Sequence, residues 1–187
     1  MKSKGVLVSR LSILTAEQAP IESKPLLAAV NDKLGTIPNL FRLIASSPAG
    51  LEGVLSLNSA LGRTLDVRTR ERIAIAVASV NGCDYCMSAH TFLGLNLAKL
   101  DEAELAANRQ GRSTDAKAGP AVAFARKVAE KRGKVSDADV SELKLAGYTE
   151  AQVIEIVLLV AENFLTNLIN NVAGTEIDFP FVSAEAA

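Results

Sequence analysis

Asn81-Gly82 is a helix stop, and the segment directly after it constrains the whole chain. The eight residues from Cys83 to His90 hold both cysteines and the single histidine of a 187-residue sequence. Placed on a helix, Cys83, Cys86 and His90 fall at i, i+3 and i+7, so they share one face, with Cys86 and His90 as direct i,i+4 neighbours. A fold that uses these groups together needs a helical hairpin at Gly82. It also needs the start of the second helix held against the first.

That helix start has chemical consequences. Unpaired backbone N–H groups and the positive end of the helix dipole gather in the first turn. C-x-x-C thiols in such places ionise at roughly 3.5–7 instead of about 8.5. The thiolate is the reactive form, and a second thiol three residues away can close a disulfide after the first step.

The rest of the sequence reads as helices divided by Gly, Pro and capping residues. Lys24 to about Leu34 is closed by Gly35, and a short helix runs from Pro38 to Leu43. Ser47 caps a helix with Pro48 at its first position and Gly62 at its end. Asp66 caps Val67 to about Val80, whose later part (Ile73-Ala74-Ile75-Ala76-Val77-Ala78) is apolar all round and therefore buried. The Cys/His helix runs to about Leu97. Asp101 with Glu104 caps a short helix ending at Gly111, and a longer one spans about Thr114 to Lys131. Ser136 starts another, closed by Gly147. Thr149 and Gln152 form a capping box for the last, through Asn171. No segment has strand periodicity. The expectation is an all-α single domain over residues 1–187, with an N-terminal arm (1–20) and a C-terminal tail (175–187).

Hydrophobic residues make up 49% of the chain and the net charge is −1. That excludes a disordered chain and gives no electrostatic case for nucleic acid or an anionic membrane. Val153 to Val160 is the most apolar run, but Glu155 lies inside it and Glu162 just beyond, which argues against a membrane span. The basic N-terminus lacks an apolar run long enough for a signal peptide. Two cysteines are too few for a secreted disulfide framework. These features predict a cytoplasmic protein.

A hairpin at Gly82 also selects a carboxylate. Glu71 lies ten residues before Asn81 and His90 eight after Gly82, so on antiparallel helices both sit roughly 12–15 Å from the turn. Glu71 shares its stripe with Ala74, Ile75 and Ala78. With Gly94 one turn past His90, these small residues let the helices approach closely. The result is a relay in which a carboxylate orients the imidazole, the imidazole takes a proton from Cys86, and one thiolate attacks while the other resolves.

Glu71, Cys83 twelve residues later, and C-x-x-C-x-x-x-H through His90 resemble the core of the alkylhydroperoxidase D-like, or carboxymuconolactone decarboxylase-like, family. The resemblance runs from about Gly35 to Asp178 and is closest to the members described as peroxidase-related. It implies a helical bundle with the C-x-x-C hairpin at its centre. It implies hydroperoxide reduction with Cys86 as the attacking thiol, Cys83 as its resolving partner, and Glu71 and His90 as the proton relay. It also implies a homo-oligomer (trimer or hexamer, sometimes dimer) and a dithiol electron donor such as a lipoyl or thioredoxin-like protein. Some peroxidase members carry a histidine directly before the second cysteine; this chain has Tyr85, a poor base at neutral pH.

Other readings are weaker on the residues. Structural zinc needs four ligands, and the chain offers two thiols, one imidazole and Glu71 without a second C-x-x-C. Haem attachment needs C-x-x-C-H, but Met87 follows Cys86. No nucleotide-binding glycine fingerprint is present, so no cofactor is expected and electrons arrive from another protein. A cysteine-independent decarboxylase of lactone acids and a redox-sensing oligomer without turnover are the alternatives. Asp84 and Tyr85 read as surface or interface residues. Asn163, Asn167 and Asn170 recur on one face of the last helix and read as a hydrogen-bonded seam or subunit contact.

Overall fold

The computed structural model describes residues 9–185. The first eight residues, which include the basic start of the N-terminal arm, and the last two lie outside the described residues. The described residues form nine helices and no strand: α1 (Lys24–Leu34), α2 (Asn39–Ile44), α3 (Pro48–Leu61), α4 (Val67–Asn81), α5 (Asp84–Asn96), α6 (Glu102–Arg109), α7 (Ala118–Lys131), α8 (Asp137–Leu145) and α9 (Glu150–Ala173).

Local signals set most boundaries. The side chains of Ser47, Asp66, Asp101, Ser136 and Thr149 each accept a backbone N–H three residues on, satisfying a donor the helix leaves open. Gly35, Gly82 and Gly174 close α1, α4 and α9 in the left-handed conformation. α7 ends at Lys131 as the sequence pattern has it, closed by Arg132, itself left-handed. Its start differs: it begins at Ala118 instead of Thr114, because Thr114 is bound elsewhere: its N–H donates to Glu104 at 2.6 Å and its hydroxyl to the same oxygen. Asp115 then accepts the Lys117 and Ala118 N–H groups at 2.9 and 3.1 Å and serves the new helix start.

α4 is the hub, packed against α5, α6, α7 and α9. Nine of its residues are buried, among them all six from Ile73 to Ala78, which accounts for that stretch being apolar all round. One core cluster joins α4 to α7, α8 and α9 through Ile73, Val77, Phe124, Val128, Leu143 and Ile156. A second surrounds the start of α5 and takes in Leu100 of the α5–α6 connection, Leu105 of α6 and Ala184 of the tail. A third holds α1, α2 and α3 together through Leu27, Ile44, Leu51 and Val54.

The arm and tail are tied down by polar contacts. Arg10 donates its backbone N–H to Ala173 and its guanidinium to the Asn171 and Val172 carbonyls, completing the C-terminal end of α9. The tail runs back along α5, where Ser88 exchanges hydrogen bonds with Val182 and Asp84 accepts the Ala184 N–H at 2.7 Å.

α9 is long and apolar enough to cross a membrane by length and composition, and a third of its most apolar window is buried in the fold. Its outer face carries Ile154, Leu158, Leu165, Leu168 and Val172, exposed by 41–65% and spaced in alternating steps of three and four when Ala161 is included.

Candidate active site

Cys83 is the N-cap of α5, with extended backbone, and its sulfur accepts the Cys86 N–H at 3.2 Å. Gly82 turns the chain from α4 into this cap, as the Asn81-Gly82 signal predicts. Cys83 and Cys86 are joined as a disulfide, with Cα atoms 5.3 Å apart. Both residues are buried, at 0% and 3% exposure. The pair therefore sits where helix-terminal N–H groups favour negative charge on sulfur.

One turn past Cys86, the His90 ring meets the carboxylate of α4: Nδ1 lies 2.8 Å from Glu71 Oε2. The two side chains are 23% and 12% exposed, so the pair is partly sheltered from solvent. Burial opposes charge on the imidazole most strongly. The Glu71 charge and hydrogen bond, with Glu162 farther off, outweigh it and raise the His90 pKa above its ordinary value. Glu71, Cys83, Cys86 and His90 are thus brought to adjoining turns of two packed helices. Gly94 allows a close approach, though chiefly to α6: a Cβ there would lie 2.9 Å from Leu105 Cδ2, with Ile75 of α4 at 3.8 Å.

Tyr85 and Asp84, expected at the surface or an interface, are drawn in under the chain's own tail. Tyr85 is 5% exposed; its hydroxyl accepts the Leu40 N–H at 3.1 Å and its ring packs edge-on against Phe179. Burial, with the charge of Asp178, pushes its phenol above the ordinary range, so it remains neutral and supplies no base. Asp84 is half-buried and holds the tail. Both are drawn inward because the tail folds over the start of α5.

The asparagine face of α9 is buried and is a seam within the chain. Asn167 accepts from Asn81 at 2.8 Å, and Asn163 donates to the Leu159 carbonyl at 2.8 Å. Asn170 belongs to the site, donating from Nδ2 to Cys86 Sγ at 3.3 Å. Glu162, 8% exposed, accepts from Asn58 Nδ2 at 3.0 Å, and burial is the main reason its own pKa is raised. The sequence marked Asn170 only as part of a stripe and Glu162 only as a charge just beyond an apolar run. Among the described residues, no three His, Cys, Asp or Glu side chains converge as metal ligands.

Fold and site together define a helical dithiol protein of the alkylhydroperoxidase D type. Residues 48–131 match the model of the carboxymuconolactone decarboxylase family, and the chain is similar to alkylhydroperoxidase D-like, peroxidase-related proteins. A solved structure similar to it is a peroxidase-related protein from Ralstonia eutropha JMP134 with an alkylhydroperoxidase AhpD core. It has a TM-score of 0.81 and 26% identity, covering 91% of this chain and 93% of that one. A peroxidase-related protein from Silicibacter sp. TM1040 shares the fold, with a TM-score of 0.79 and 23% identity over 94% of each chain. So does the debrominase Bmp8, solved as a cysteine-to-alanine variant with 2,3,4-tribromopyrrole, at 0.72 and 19% over 95% and 94%. No curated protein matches the sequence.

Proposed function

We propose that the chain is a thiol-dependent peroxidase, a disulfide oxidoreductase that reduces hydroperoxides through Cys83 and Cys86 with Glu71 and His90 as its proton relay. The observation that supports this most is a bonded C-x-x-C at a helix start, with a carboxylate-bound imidazole one turn beyond its second sulfur. In the reduced enzyme Cys86 gives its proton to His90, and Glu71 stabilises the resulting imidazolium. The Cys86 thiolate attacks the hydroperoxide: an S–O bond forms, the O–O bond breaks, and the leaving alkoxide takes the proton from His90. Cys83 then attacks the Cys86 sulfenic acid. The S–S bond forms, the S–O bond breaks, and hydroxide leaves with the Cys83 proton as water.

The disulfide is the product of that cycle, and two electrons from a dithiol reopen it. Lipoyl and thioredoxin-like proteins carry donors of this class, and the cytoplasm, where such dithiols are kept reduced, is the location we propose. We further propose that the protein is a homo-oligomer, a reading supported by the exposed apolar stripe of α9.

The test is hydroperoxide turnover with a dithiol reductant by wild type, Cys83→Ser and Cys86→Ser. Cys86→Ser is expected to be inactive and Cys83→Ser to fail in multiple turnover. Undiminished turnover in both variants removes the mechanism. Decarboxylation of a lactone acid that survives both substitutions assigns a cysteine-independent enzyme instead. Oxidation that alters assembly without any wild-type turnover assigns a sensor.

A further inference from the structure

Asn170 is 2% exposed, and among the described residues the Cys86 sulfur is the one hydrogen-bond partner of its carboxamide. Its Oδ1 is buried without a partner. An unpartnered buried carbonyl is costly, and an apolar side chain of similar size would fill the place without that cost. The neighbouring asparagines of the same face meet no sulfur: Asn167 accepts from Asn81, its own Nδ2 left without a partner, and Asn163 donates to a carbonyl of its own helix. What an amide adds at position 170 is an N–H aimed at sulfur. A disulfide or thiolate sulfur only accepts, which fixes the amide with Nδ2 inward.

We propose that Asn170 stabilises the Cys86 thiolate, making Cys86 the sulfur that carries negative charge once the pair is opened. This rests on the dithiol reading above. When the thiolate of a dithiol donor attacks Cys83 Sγ, a mixed disulfide forms, the Cys83–Cys86 bond breaks, and its electron pair leaves on Cys86 Sγ. The Asn170 N–H meets that charge without moving. The donor's second thiolate then attacks its own sulfur in the mixed disulfide and releases Cys83, which takes up a proton. The two sulfurs are distinguished by their donors: Cys83 faces the backbone N–H of Cys86, while Cys86 faces a side chain from another helix.

The test is the ionisation midpoint of Cys86, read from the pH dependence of iodoacetamide alkylation in the Cys83→Ser chain, where it is the sole thiol. Asn170→Leu and Asn170→Asp are each expected to raise that midpoint by about one to two units, Asp more because its charge opposes the thiolate. Cys83, measured in the Cys86→Ser chain, is expected to keep its midpoint when Asn170 is replaced. A Cys86 midpoint that does not move, or a Cys83 midpoint that moves equally, overturns the assignment. Asn170→Asp is isosteric and carries the test if the leucine variant fails to fold. Independently of any variant, a Cys86 midpoint at or above about 8.5 with Asn170 intact also overturns it. Peroxide turnover is no part of this readout. A chain that shows the shifts but reduces no peroxide keeps the Asn170 assignment and loses the peroxidase one.

Discussion

Reducing the Cys83–Cys86 bond should weaken the fold only slightly if that bond is a catalytic intermediate and not a staple. The bond closes a loop of four residues within one helix start and joins no two elements. In the chain-entropy account, so short a loop contributes about 2 kcal/mol. The three core clusters are built from contacts between helices that the disulfide does not cross-link. Reduction also leaves the local backbone its own support, since Met87 donates to the Cys83 carbonyl at 2.8 Å and the Cys83 sulfur still faces the Cys86 N–H. For a chain of this size, 2 kcal/mol corresponds to a fall in Tm of roughly 4–8 °C. Thermal unfolding followed by far-UV circular dichroism, with oxidised protein, dithiol-reduced protein and the Cys83→Ser/Cys86→Ser double variant, measures it. A fall beyond about 15 °C, or loss of helical signal on reduction at room temperature, refutes the reasoning and makes the bond structural.

Glu71→Gln removes the charge that holds His90 above its ordinary pKa, so the imidazole midpoint should fall; the chain's single histidine gives one ring resonance to follow by NMR, and a midpoint that stays or rises contradicts the pairing. Because the folded midpoint is raised, the pair's contribution to stability is complete below the unfolded value of about 6.5 and disappears as pH rises through the folded one, so wild type and variant should differ most in mild acid. Glu104, 2% exposed, accepts from Arg72 at 2.6 Å, Asn108 at 2.9 Å and Ser113 at 2.5 Å as well as from Thr114. Burial pushes its pKa up, but the hydrogen bonds from Ser113, Thr114 and Asn108 hold it at about 2 against an ordinary 4.5. About 3 kcal/mol of stability is therefore present above pH 4.5 and lost as pH falls through 2, with roughly 2 kcal/mol gone by pH 3. Glu104→Gln should cost about 3–5 kcal/mol in urea unfolding at pH 7 and flatten this acid limb; a loss below about 1 kcal/mol rejects the network. Leu165→Glu with Leu168→Glu should convert an oligomer to monomer in sedimentation velocity, and a wild-type chain that sediments as a monomer removes the oligomer proposal.

What was legible in the sequence was local. Capping side chains act within three residues, so Ser47, Asp66, Ser136 and Thr149 announce their helices, and Gly82 announces the hairpin. The Glu71–His90 pair could be found because a tight hairpin converts residue counts into depth. The start of α7 could not, because Thr114 is claimed by Glu104 ten residues earlier through tertiary contact. Tyr85 read as a surface or interface residue because nothing in an aperiodic tail says that Phe179 and Ala184 will fold over it. Asn170 lies 84 residues from Cys86, and the rotation of α9 against α5 alone decides which of three asparagines meets the sulfur.

The placement of Glu71 has a cause beyond its own contact. Its chain neighbour Arg72 points about 100° around α4, where its Nε donates to Glu104 and its Nη2 to Asp115. Arg72 and Glu104 are nearly sealed from solvent, their side chains 4% and 3% exposed, and separating them would strand two buried charges. From Ile73 to Ala78 α4 is apolar on every side, and apolar packing alone tolerates a helix that rolls or slides by a fraction of a turn. A directional ion pair does not. By fixing Arg72 against α6 and the loop before α7, the network sets the rotation of α4 and so aims the Glu71 carboxylate at His90. The Glu71 carboxylate is thus positioned by a polar cluster that touches neither sulfur.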